Sequence, residues 1–151
     1  MKRRRVLGAA TGLLPAVAGC FGNEPPPSPT SSSDLATIEF ELIDSDIEAE
    51  RPPEVRVDDE TITVRGTVRY GSSSCGTAKL AYVGYEDSQD RLDLLVIAAD
   101  DSEDVSECTD DLVVTGYRIE ATVDGRLRRV AATEHHVFGE TYSTTTDLTD
   151  Y

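Results

Sequence analysis

The 151-residue chain predicts an all-β domain, a single antiparallel β-sandwich or partly open barrel of about seven strands over residues 35–146. Two observations carry that expectation. From Leu35 onward, short runs rich in Val, Ile, Thr and Tyr are separated by Gly, Asp and Ser, the pattern of strands and turns rather than of helices. Roughly 115 residues also suit one hydrophobic core, and no repeat or helical period divides them.

The elements follow in order. Ile38, Phe40 and Leu42 alternate with Thr37, Glu39 and Glu41, so one face of the first strand is apolar and the other charged. Pro52-Pro53 closes that section, and Val55 and Val57 open a second strand. A third carries Ile62, Val64, Gly66, Val68 and Tyr70, with Asp58-Asp59-Glu60 as the intervening turn. Ala78 to Tyr85 and Leu92 to Ala98 form a hairpin through Glu86–Asp90, its return strand apolar enough to be buried on both faces. Leu112 to Val123 and Leu127 to Phe138 flank Asp124-Gly125, a pair suited to the positive φ angles of a type I′ turn, which predicts a second hairpin. Thr141 to Tyr151 can add an edge strand or end as a tail, with 147–151 outside the domain. A competing α+β reading makes Ser102 to Asp111 a short helix, but the acids around Cys108 read better as a loop.

Residues 1–19 are of another kind. Lys2, Arg3, Arg4 and Arg5 precede an apolar run, Val6 to Val17, too short to span hydrocarbon comfortably, and Gly8, Gly12 and Pro15 weaken it further as a helix. Arg3-Arg4-Arg5-Val6-Leu7 resembles a twin-arginine export signal, with Arg3 and Arg4 as its pair. Val17-Ala18-Gly19-Cys20 resembles a lipobox. The resemblance implies removal of residues 1–19 and a lipid on Cys20; the alternative is an uncut anchoring helix with Cys20 as an ordinary apolar residue. Either way the expected location is extracytoplasmic, at the outer face of the cytoplasmic membrane. Residues 20–34, with four prolines and a Thr-Ser-Ser-Ser run, then read as an extended, solvated tether. Asn23 is the only asparagine and no sequon follows it.

Charge narrows the partners. The first 19 residues hold four bases and no acid, so their removal leaves 29 acids against 10 bases, a net charge of −19. Lys79 is then the only lysine. Nucleic acid is excluded as an expected partner, because phosphate binding draws on clustered Lys and Arg. Self-repulsion on this scale is relieved by salt, which points to a protein adapted to high salt.

Cys75 and Cys108 form an even pair in an exported chain, and the predicted hairpin brings them to one end, so a disulfide is expected. A metal or redox pair would need closer spacing and partner histidines. The only histidines, His135 and His136, are adjacent in a predicted strand and face opposite ways, so they are expected to be partly exposed strand residues that do not chelate together. One of them could join Glu134. Asp100, Asp101, Glu103, Asp104, Glu107, Asp110 and Asp111 concentrate carboxylates in one loop, which lacks a recognised calcium pattern: Val105 occupies the sixth place from Asp100. No metal site and no cofactor is expected. The sequence also lacks a Gly-x-Ser-x-Gly elbow, a phosphate loop and an HExxH motif, so any enzyme would assemble its site only in three dimensions. Tyr70, Tyr82, Tyr85, Tyr117 and Tyr142 are expected in the sheet, combining burial with a polar tip.

The paired cysteines around a hairpin, followed by Val114-Thr115-Gly116-Tyr117-Arg118-Ile119-Glu120-Ala121, make residues 70–137 similar to small exported domains of uncharacterised haloarchaeal lipoproteins. That resemblance implies a cell-surface, disulfide-containing β domain and no nameable activity. The expectation is therefore a monomeric, noncatalytic binding or envelope-associated module, anchored through lipid on Cys20, with a protein or small-solute partner. The alternatives are an extracytoplasmic enzyme and a structural or inhibitory surface lipoprotein.

Overall fold

The computed structural model describes residues 35–148, so the export signal, Cys20 and the tether lie outside the described residues. Eight strands form two four-stranded sheets packed face to face, a β-sandwich and not a closed barrel. The first sheet contains β1 (Leu35–Ile43), β2 (Glu54–Asp58), β3 (Thr61–Gly71) and β6 (Leu112–Val123), in the order β1-β6-β3-β2. The second contains β4 (Gly76–Glu86), β5 (Arg91–Asp100), β7 (Arg129–His135) and β8 (Thr141–Asp147), in the order β4-β5-β7-β8. Among the described residues no helix is long and apolar enough to cross a membrane.

Period-two alternation decides which side chains meet between the sheets. Ile62, Val64 and Val68 of β3 and Tyr117, Ile119 and Ala121 of β6 line one inner face. Leu92, Leu94 and Val96 of β5 with Val130 and Ala132 of β7 line the other. The outer side chains of β5 are half-buried, so this strand is fully buried on one face only, contrary to the doubly buried reading. Asp59-Glu60 closes the β2–β3 hairpin, with Asp59 in the left-handed region at φ 53°. The β4–β5 hairpin turns where expected and carries one register shift between Leu80 and Tyr82. Ser102–Asp111 is a loop, and Thr141–Asp147 pairs with β7 as an edge strand, followed by buried Leu148.

The Asp124-Gly125 hairpin does not form. β6 and β7 lie in different sheets, Gly125 has no positive φ, and β7 pairs in parallel with β5. Asp90, in the β4–β5 turn, accounts for the difference. Its carbonyl accepts the N–H groups of Arg128 and Arg129 at 2.8 and 3.3 Å, its carboxylate lies 3.1 Å from the Arg128 Nε, and the Tyr85 hydroxyl donates to the Arg126 carbonyl. These contacts carry the chain across the sandwich and start β7 beside β5. A tight turn propensity acts only locally, whereas both inner faces here are apolar and each finds its cover in a different sheet.

Candidate functional site

Pro52-Pro53 sets the local problem. Proline cannot continue a hydrogen-bonded ladder, so β2 accompanies β3 only from Thr61 to Arg65, and among the described residues the same edge of β3 has no strand beside it beyond that point. Its backbone groups must find other partners. The end of β7 supplies them. The Thr67 N–H donates to Glu134 Oε1 at 3.2 Å, the Arg69 N–H donates to His136 Nδ1 at 3.3 Å, and the Val137 N–H donates to the Arg69 carbonyl at 3.0 Å.

Glu134 is thereby held between the sheets with none of its surface exposed. Its Oε1 also accepts the Tyr117 hydroxyl at 2.8 Å, and its Oε2 lies 3.4 Å from His136 Nε2. Because His136 Nδ1 accepts a backbone N–H, the ring proton sits on Nε2 and points at the carboxylate. Three donors therefore converge on Glu134, and among the described residues no Lys or Arg forms an ion pair with it. Burial pushes the Glu134 carboxyl up to about 7, although the Tyr117 and Thr67 hydrogen bonds pull the other way. Burial first, then the neighbouring carboxylate, raises the Tyr117 phenol far above its ordinary range. His136 is lowered, chiefly by burial and then by the Arg69 guanidinium.

Gly66 makes room for this arrangement. It stands opposite Tyr117 in the β3–β6 register, and a Cβ there would come within 2.6 Å of the Tyr117 hydroxyl and overlap Glu134 Oε1. The cluster ties Thr67 and Tyr117 of one sheet to Glu134 and His136 of the other.

In front of it lies a cleft. β5 continues to Asp100 beyond its last pairing with β7, Ile97 with His135, while β7 turns toward β3. The gap between the two strand ends is a cavity of about 500 Å³, lined mainly by Tyr70, Ile97, Ala98, His135 and Val137, with the Cys75–Cys108 disulfide at its wall. The cysteines have Cα atoms 5.4 Å apart, as the hairpin geometry requires. Seven acids, Asp100 to Asp111, border this end; Asp111 is lowered by hydrogen bonds from Thr109 and from Ser73, whose N–H it accepts at 2.9 Å. A larger concavity of about 860 Å³ lies between the β1–β2 connection and β8, but it is an open groove lined by exposed charges of both signs and contains no member of the buried cluster.

The expected pair of partly exposed histidines is corrected here. His135 is exposed on the outer face of β7, whereas His136, just past the strand, is buried. They do face opposite ways. Among the described residues no group of three or more His, Cys, Asp or Glu side chains is placed to hold a metal ion, the acidic loop included. The Glu134–Tyr117 pairing was not anticipated from the sequence. Its signal was present, since Val130, Ala132, Glu134 and His136 share the inward phase of one strand and Gly66 marks a small residue in the facing sheet.

No family model, curated protein or solved structure matches this chain.

Proposed function

We propose that the protein is a noncatalytic binding module, held outside the cell through a lipid on Cys20 and adapted to high salt. The observation that carries this reading is the layout of the described body. Leu35 pairs with Val123 and Leu148 donates its N–H to the Arg128 carbonyl, so both described ends emerge at one end of the sandwich, while the disulfide and the cleft occupy the other. A tether of residues 20–34 attached at the first end would present the cleft outward. The side chains of Glu134 and His136 are 0% and 1% exposed, and their polar atoms are engaged by partners within the fold, which supports a clamping role for the one strongly shifted carboxyl rather than acid–base work on a solute.

Mass measurement of protein extracted from membranes tests the anchor. Loss of residues 1–19 with a lipid on Cys20 is expected, together with release of the protein from the membrane fraction by Cys20→Ala. An intact, unmodified amino terminus overturns the anchored reading. Hydrolytic or redox turnover abolished by Glu134→Gln, in a variant that is still cooperatively folded at the assay pH, would overturn the noncatalytic one.

A further inference from the structure

We propose that the cleft and its apolar rim dock a cationic, apolar polypeptide segment belonging to a different protein. This deepens the binding-module reading by naming the partner for the same end of the molecule, and its test does not depend on the lipid anchor.

The apolar surface is contiguous. Leu112 stands opposite Gly71 and Val114 opposite Arg69 across the β3–β6 pair, while Val137 reaches the free side of β3 through its hydrogen bond to Arg69. A Cβ on Gly71 would touch the Val137 side chain at 3.6 Å, so Leu112, Gly71 and Val137 form one row on the outer face. Phe138 follows at the β7–β8 turn and is 72% exposed; Val114 is 53% exposed. Four large apolar side chains thus crowd an end that already opens into a cavity with a mostly apolar wall, an arrangement that marks an interaction surface.

Charge complementarity selects the occupant. Asp100 lines the cleft, and Asp100, Asp101, Glu103, Asp104, Glu107 and Asp110 enter no ion pair among the described residues. Arg69 beside the patch is already faced by Glu50 and Glu140, at 3.6 and 3.9 Å. The rim therefore offers uncompensated negative charge around an apolar centre, the complement of a segment that alternates Lys or Arg with large apolar residues. Of the chain's own segments outside the described residues, 1–19 are cationic and apolar, with Lys2 to Arg5 before Val6–Val17, but the proposed export removes them. Residues 20–34 contain Glu24 and Asp34 but no Lys or Arg. A second copy would bring the same acidic rim and a net charge of −15, or −19 once residues 1–19 are removed, 29 acids against 10 bases.

The test uses the full-length protein in detergent and a short peptide alternating Lys and Leu that carries one Trp. This protein has no Trp, so the fluorescence reports the peptide alone. Saturable binding in about 0.1 M salt is expected; it should weaken as salt rises but persist toward molar salt, where contact pairs within about 3 Å and the apolar rim still act. The same peptide with Glu for Lys, or with Ser for Leu, should bind far more weakly. Val137→Asp and Phe138→Ser should each raise Kd about tenfold or more, the loss of a single anchoring side chain, while Thr145→Asp on the exposed face of β8 should leave it unchanged. Unfolding midpoints confirm that the variants fold. No saturable binding, equal binding of either control peptide, or an unchanged Kd in both rim variants overturns the proposal. Cytosolic recovery of the protein with this binding intact would instead sink only the anchored reading.

Discussion

Glu134 is the residue on which pH should act most directly. In the unfolded chain it ionises near its ordinary value of 4.5, whereas in the fold it keeps its proton up to about 7. Below 4.5 both states are protonated and its contribution to stability is complete. Between 4.5 and 7 the unfolded chain has already lost a proton that the folded chain still holds, so raising the pH favours unfolding, by about 3 kcal/mol once both are ionised. His136 acts in the opposite direction: its folded pKa is lowered, so its contribution is lost as pH falls below the ordinary histidine value. Glu134→Gln should flatten the limb between pH 4.5 and 7 in a plot of unfolding midpoint against pH. A variant retaining the wild-type slope would show that Glu134 is not the titrating group. Gly66→Ala should cost about 1–3 kcal/mol in chemical denaturation, since the added methyl meets two buried oxygens that have nowhere to move.

Among the elements, the β4–β5 hairpin and the disulfide form a unit, with Gly76 paired to Asp100 and the Asp101 N–H bonded to the Cys75 carbonyl. Joining residues 33 apart should stabilise the fold by roughly 3 to 4 kcal/mol in the chain-entropy model, so Cys75→Ser with Cys108→Ser should lower the denaturant midpoint accordingly. An unchanged midpoint would show that the cross-link adds nothing. This unit was legible in the sequence, because alternation, turn residues and cysteine positions all agree within one local stretch. The pairing after β6 was not. Asp124-Gly125 signals a turn but carries no information about which sheet receives the next strand, and that choice rests on Asp90, which is distant in sequence. The buried cluster was half legible: strand phase places Glu134 inward, yet its partners depend on Pro52-Pro53 leaving β3 uncovered one sheet away.

For the molecule as a whole, the governing quantity is charge. A net −15 over the full chain, with ion pairs that are mostly exposed and individually weak, leaves repulsion largely uncompensated in dilute buffer. Screening shortens the reach of those charges from about 30 Å at 0.01 M salt to about 3 Å at 1 M. The thermal midpoint should therefore climb toward molar salt, and a flat or falling series would refute adaptation to brine.

The side-by-side alignment of β5 and β7 also imposes an order in time. Arg91 cannot meet Arg129 until the intervening chain has visited the opposite sheet and come back, so half of the sandwich must wait for the other. Contacts this remote along the chain make for slow assembly. A nascent chain halted before residue 129 would leave Leu92, Leu94 and Val96 without the strand that flanks them, its apolar flank open to whatever protein it met first.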